Sequence, residues 1–256
     1  MKINKLFFKV LYFLIHCNFV IGFLFRALKL KFRYKGQIFN VSNLNLPTKF
    51  YSAFFFKTYE INDRIVLEKF LNKKNHCIII GAGIGFIPSL VYKLTNNKVF
   101  CFEIDQKLKN IIKENLNSNK IKYKLIMKNL SFKKKTKRFK YYSNDNFLAN
   151  TYKRYNKKKN INEKVKFDNI NIVSNIFYQD CNIKKFNTFV IDAEGYELEI
   201  IKNLNKLKNI DHLFFELHDD ILNKKNINKI FSKLKKQKFI KIHSFLNSYY
   251  FRKISV

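Results

Sequence analysis

Residues Cys77 to Leu90 read CIIIGAGIGFIPSL. Cys77, Ile78, Ile79 and Ile80 form a short apolar run rich in β-branched residues, as in a strand covered on both faces of a parallel sheet. Gly81, Gly83 and Gly85 follow at alternate positions, and Ile87, Leu90, Val91 and Leu94 then recur at helical spacing. Strand, glycine turn and helix are the setting of a nucleotide-binding loop, because glycine allows the tight turn and puts no Cβ between backbone and ligand. The next apolar run, Val99 to Phe102, ends in Glu103. An acid roughly twenty residues past such a loop can accept hydrogen bonds from both ribose hydroxyls of a nucleoside. The dinucleotide fingerprint needs a glycine where Phe86 stands, so the GxGxG pattern points to a different nucleoside.

A chain of 256 residues has room for one α/β domain and an N-terminal extension. Its formal charge of +33 would suit a nucleic-acid binder. The charge comes with an excess of Lys, Asn, Ile, Phe and Tyr, a bias expected from AT-rich codons, so it does not choose among lipid, glycan and RNA. The four cysteines, Cys17, Cys77, Cys101 and Cys181, make no CxxC pair. They read as small buried hydrophobes of a reducing compartment rather than zinc ligands, which suits a cytoplasmic protein with or without membrane association.

Residues 6–30 form a Phe- and Leu-rich helical segment interrupted by Lys9, His16 and Asn18 and flanked by basic residues. It is a poor match to the ~20 apolar residues of a membrane span. It fits a helix packed on the domain or a partner, or one lying in an anionic membrane surface. Residues 32–58 read as short strands and loops, and Tyr59 and Glu60 open a helix through Leu71. Beyond Glu103 the pattern predicts a helix over about 106–116, with Leu108, Ile111, Ile112 and Leu116 inward, and then a strand, Tyr123 to Met127. Asn129, at that strand's carboxyl end, is placed to reach a cofactor or to serve a turn. A basic run with interleaved tyrosines fills 132–166. It is read as an exposed insert or as a single-strand nucleic-acid contact, followed by an edge strand at Asn169 to Val173. The fourth core strand, Asn187 to Ile191, delivers Asp192, Glu194 and Glu197. A helix on Leu198, Ile201 and Leu204 follows, and the fifth strand carries Glu216 and ends at His218. A last helix near 227–234 and a closing antiparallel hairpin complete the domain.

In this order the chain resembles the FkbM-type S-adenosylmethionine (SAM)-dependent methyltransferases. The resemblance rests on TYE at Thr58 to Glu60, IGAGIGF at Ile80 to Phe86 and FEID at Phe102 to Asp105. It continues with VIDAEGYELEIIKNL at Val190 to Leu204 and FELH at Phe215 to His218. It implies a Rossmann-like fold with a seven-stranded, mostly parallel sheet, one reversed strand and helices on both faces. Residues 1–58 would be the extension, 59–256 the catalytic domain and 132–166 its insert. The implied cofactor is SAM, held by Gly81, Gly83, Gly85, Glu103 and Asn129. The implied reaction is O-methylation of a sugar, glycan or related hydroxylated molecule. The chain departs from the fold's usual pattern at Ile79, two residues before the first glycine, where an acid normally helps hold the methionine end of SAM. Glu60 is the candidate to supply that charge.

Methyl transfer needs alignment and, for a hydroxyl acceptor, a base. Asp192, at the end of the fourth strand, is the first candidate, with Glu216 and His218 next. Asp192 and Glu194 could instead hold a divalent ion such as magnesium. For Glu197, compensation of a helix dipole competes with a catalytic role. Two other functions stay open: an RNA or DNA methyltransferase, for which the chain lacks an NPPY-type or Pro-Cys motif, and a membrane-surface protein with a degenerate nucleotide fold.

Overall fold

The computed structural model describes residues 19–44, 46–134, 138–143, 169–219 and 222–254. Its centre is a seven-stranded sheet formed by β3 (Cys77–Ile80), β4 (Val99–Phe102), β5 (Tyr123–Ile126), β9 (Thr188–Ile191), β10 (His212–Glu216), β11 (Phe239–Phe245) and β12 (Ser248–Lys253). The strand order is β11-β12-β10-β9-β3-β4-β5. β12 pairs antiparallel with both β10 and β11, and every other pairing is parallel, so one strand alone is reversed. This is the sheet that the family resemblance implied, closed by the expected hairpin.

Strand side chains alternate between two cores, as a period of two requires. Cys77 and Ile79 join Val190 and Phe214 on one face, under α3 (Ile61–Phe70), α4 (Phe86–Thr95) and α5 (Lys109–Ser118). Ile78 and Ile80 join Phe189, Ile191 and Phe215 on the other, under α6 (Glu197–Lys202) and α7 (Lys224–Lys236). Leu108, Ile111, Ile112 and Leu116 are all buried, as their spacing indicates.

The extension differs from its sequence reading in one element. β1 (Phe32–Tyr34) and β2 (Gln37–Phe39) form a hairpin, but Thr48–Phe55 is a helix, α2, rather than strand and loop. Pro47 precedes its first turn, and burial of Tyr51, Ser52, Ala53 and Phe54 decides its conformation. Of the segment read as helical over 6–30, residues 6–18 lie outside the described residues, Phe19–Ala27 is a helix, α1, and residues 28–30 turn out of it. Phe32 and Phe39 both pack on Phe86 at the start of α4, with ring centroids 5.1 and 5.3 Å away, so the extension sits against the glycine loop's helix.

A second sheet, of order β6-β8-β7, joins β6 (Asn129–Ser131), β7 (Arg138–Ser143) and β8 (Asn169–Phe177). The segment read as an edge strand is therefore the start of a longer central one, β8, parallel to β6 and antiparallel to β7. Asn129 is a strand residue rather than a turn residue. Most of the basic run, including Tyr152, Arg154 and Lys157, lies outside the described residues. Among the described residues, no helix is long and apolar enough to cross a membrane.

Gly81 has φ +89°, and a Cβ there would lie 1.9 Å from the carbonyl oxygen of Asp192. Gly83 has φ +52°, but its Cβ would meet nothing nearer than the Tyr59 hydroxyl at 3.6 Å. Gly83→Ala is therefore expected to cost about 1–2 kcal/mol, the left-handed penalty alone. Gly81→Ala must also push the ends of β3 and β9 away from each other and should cost clearly more in urea unfolding. Equal losses for the two variants would show that the close approach to Asp192 does not constrain the loop.

Candidate active site

The sheet order reverses at β3, whose neighbours β4 and β9 lie on opposite sides. A crevice outside the carboxyl ends of the strands forms at such a switch point. Here it is bounded by the glycine loop after β3, Glu103 after β4, Asp192 after β9 and the end of β10.

Glu103 is buried, and its carboxylate is saturated by main chain. Oε2 accepts the amides of Ala82 (2.9 Å) and Gly83 (3.1 Å), and Oε1 those of Ile104 (2.8 Å) and Asp105 (2.9 Å). A carboxylate has about four acceptor positions, so Glu103 ties the glycine loop to the end of β4, and a ribose would have to share those lone pairs. Burial raises its pKa, and the four amide bonds oppose the rise. Asn129 is buried as well, and its Nδ2 has no hydrogen-bond partner among the described residues.

On the other side of the loop, carboxylates crowd together. Glu60, Asp63, Asp192 and Glu216 each bring a carboxylate oxygen to within 4.8 Å of the others. Glu60 sits at φ +52° at the start of α3. Asp63 lies one helical turn on and accepts a hydrogen bond from the Ser248 hydroxyl. Sequence reading missed Asp63; its i, i+3 spacing from Glu60 is the signal that places both on one helix face. The hairpin turn pins this end of α3. Asn62 Nδ2 donates to Asn247 Oδ1 at 2.8 Å, and Asn247 Nδ2 donates to Glu216 Oε1 at 2.5 Å. Burial, followed by mutual repulsion, holds Glu60 and Glu216 well above the usual carboxylate range. The same causes push Asp63 up to about 7. Asp192 is raised by burial, and the neighbouring His218 opposes that rise.

His218 is fixed by Glu197, which is fully buried. Nδ1 of His218 lies 2.7 Å from Glu197 Oε1, and that oxygen also accepts the Gly195 amide at 3.0 Å. Glu197 therefore does more than compensate a helix dipole. Nε2 of His218 faces Asp192 Oδ1 at 3.5 Å, Glu194 Oε2 at 3.7 Å and Glu216 Oε2 at 3.9 Å. Burial alone would lower its pKa, but the Glu197 hydrogen bond and the carboxylates of Asp192 and Glu194 outweigh it and raise it to about 11.

Two sets of these side chains have metal-ligand spacing: Asp192, Glu194 and His218, and the four-carboxylate set around Asp192. The first joins two carboxylates to an imidazole nitrogen, which would ligate in its neutral form. The second is all oxygen, the chemistry of magnesium or calcium. The fold thus brings together Glu60, Asp192, Glu216 and His218, with Glu194 at the rim. Gly81 lies directly against Asp192 and Gly83 beside Tyr59, Gly85 turns toward Ile112 and Leu116 of α5, and Glu103 holds the loop from the β4 side.

The model of the FkbM methyltransferase domain matches residues 80–253, and the chain belongs to that family. No curated protein matches it. Among solved structures, it is similar to a methyltransferase from Pyrococcus furiosus, at 16% identity over 91% of this chain and 96% of that one, with a TM-score of 0.47. It is also similar to M. jannaschii TYW2 in complex with AdoMet, at 11% identity, 88% and 86% coverage and a TM-score of 0.43. A putative rRNA-methylase from Clostridium thermocellum shares 12% identity over 75% and 93% of the two chains, with a TM-score of 0.45.

The crowded carboxylates give a pH signature. Asp63 rises from 3.8 to about 7 on folding. The native state thus binds its proton more tightly than the unfolded chain, and this stabilisation is complete below pH 3.8 and lost as pH climbs through 7. Asp63→Asn removes the titration and keeps an acceptor for Ser248. The variant should gain urea resistance relative to wild type at pH 8, and the gain should vanish by pH 4. A variant less stable than wild type at pH 8 would mean that the Asp63 carboxylate is stabilising where it lies.

Proposed function

We propose that the protein is a SAM-dependent methyltransferase that methylates a hydroxyl oxygen on a sugar, glycan or related hydroxylated molecule. One observation carries this reading: a carboxylate cluster centred on Asp192 lies beside a glycine loop at the switch point, in a chain of the FkbM family. When bound, SAM would supply an electrophilic methyl on a cationic sulfur, together with a cationic ammonium. Those positive charges suit a crevice where acids repel one another.

In this reading Gly81, Gly83 and Gly85 let the backbone approach the nucleoside, and Glu103 holds the loop in shape while sharing its oxygens with the ribose. Asn129 offers its unpartnered Nδ2. Glu60 takes the methionine ammonium in place of the acid that Ile79 lacks; Ile79 itself is fully buried in the core. Asp192 accepts the acceptor hydroxyl's proton, and its position at a strand end aligns acceptor and methyl. His218, oriented by Glu197, sits beside Asp192 as a cation and favours its ionised form. Glu216 is the next carboxylate along. A divalent ion such as magnesium at Asp192, with the carboxylates beside it, would lower a hydroxyl's pKa at the same place. Magnesium should then raise the thermal midpoint of wild type and leave that of Asp192→Asn unchanged.

Calorimetry with SAM and its demethylated product tests the reading, followed by methyl transfer to a panel of saccharides. Glu60→Gln should weaken SAM binding about tenfold, ~1.4 kcal/mol. Asp192→Asn should bind SAM within a few-fold of wild type and lose about 100-fold in turnover, the scale of a lost general base. Absence of binding at millimolar SAM would remove the proposal. Full turnover in Asp192→Asn would move the base to Glu216 or His218.

A further inference from the structure

The helix α1 turns an apolar face away from the protein. Of its nine residues only Gly22 and Phe25 are buried. Gly22 sits directly on the Thr48 main chain, where a Cβ would come within 2.3 Å of the carbonyl oxygen, and Phe25 packs against Tyr51 and Phe54. These contacts fix α1 on α2 and turn its other side outward. Phe19 is 67% exposed, Val20 65%, Phe23 58% and Leu28, just past the helix, 66%. Leu24 and Phe55 are also exposed. Contiguous apolar side chains of this size on a surface mark an interaction site.

The charge around this face indicates what covers it. The first carboxylate in the chain is Glu60, so nothing before it carries a negative side chain. Arg26, Lys29, Lys31, Arg33, Lys49 and Lys57 are all exposed or half-buried in the same extension. Basic side chains bordering large apolar ones suit an anionic lipid surface, where the apolar groups enter the acyl boundary and the cations meet headgroups. A nucleic acid would use the charge and leave the aliphatic residues in water. We propose that the exposed face of α1, with Leu28 and Phe55, docks the protein on an anionic membrane surface.

The inference does not depend on methyl transfer, and its test needs no acceptor. The full chain is mixed with phosphatidylcholine vesicles containing about a quarter phosphatidylglycerol, and with pure phosphatidylcholine vesicles, at low salt and at about 0.5 M salt, where surface charge is screened to a few ångströms. Wild type should bind the anionic vesicles, keep a share of that binding at high salt, and bind the neutral ones at least tenfold more weakly. The variant Phe19→Ser/Phe23→Ser/Leu28→Ser changes only exposed positions, and its thermal midpoint checks that the fold is kept. It should lose the salt-resistant fraction and bind at least tenfold more weakly at low salt. Lys29→Glu/Lys31→Glu should lose the preference for anionic lipid. Binding that the serine variant leaves intact would assign the effect to the general positive charge and overturn the proposal. A wild-type dimer in sedimentation velocity that the serine variant converts to monomer would assign the face to a second copy of the chain, with the same consequence.

Discussion

The site depends on how closely Gly81 lies against Asp192. The Asp192 amide donates to the Ile80 carbonyl at 2.9 Å, and the Gly81 Cα has the Asp192 carbonyl where a Cβ would be. Only glycine lets the ends of β3 and β9 meet in this way. The contact places the Asp192 carboxylate beside the glycine loop and not a residue further along. From there, the parallel register of β9 with β10 brings Glu216 alongside, and the β10–β12 pairing sets Glu216 opposite Ser248, which holds Asp63. The acids therefore converge through sheet geometry. Their repulsion is the cost of placing four of them around one small space. Burial and mutual repulsion raise the pKa of Glu60 and Glu216, while the surrounding carboxylates raise that of His218, so protonation of the carboxyls relieves the crowding.

A second constraint joins the extension to this centre. Asparagine side chains cover the open edge of the β1–β2 hairpin. Asn119 accepts the Ile38 amide and donates to the Ile38 carbonyl (2.8 and 2.7 Å), and Asn115 does the same for Asn40 (2.7 and 3.2 Å). Two residues at the end of α5 thus act as a strand partner for β2, and Asn115 also reaches the Ile84 carbonyl in the glycine loop at 2.9 Å. Phe54 packs on Tyr59 at 4.9 Å between ring centroids, immediately before Glu60. The extension, the loop and the acid cluster consequently share contacts, although most of the extension's own surface is basic and apolar.

The core strands were legible because they are covered on both faces, and such strands appear as unbroken apolar runs; Cys77–Ile80 and Val99–Phe102 leave no polar residue to interpret. The acids at strand ends were legible for the complementary reason, since a carboxylate closing an apolar run marks a point where the sheet meets solvent or ligand. Three features were not legible. Asp63 lies within a helix whose polar positions look like ordinary surface until α3 is packed against the hairpin turn. The helix Thr48–Phe55 has no clear period, because tertiary burial of Tyr51 and Phe54 outweighs local preference. The second role of Glu103 was not legible: four backbone amides that no sequence pattern encodes share the oxygens read as ribose acceptors.

Proton exchange on ligand binding tests most directly the idea that crowded carboxyls with raised pKa values form a receptor for a cation. SAM binding is measured by calorimetry at about pH 7 in two buffers of different ionisation enthalpy. Bringing positive charge into the cluster favours ionised carboxyls, so protons should be released and the apparent heat should differ between buffers in the direction of release. Heats that agree between buffers, or a net uptake of protons, would contradict a cluster that receives the cofactor's charge.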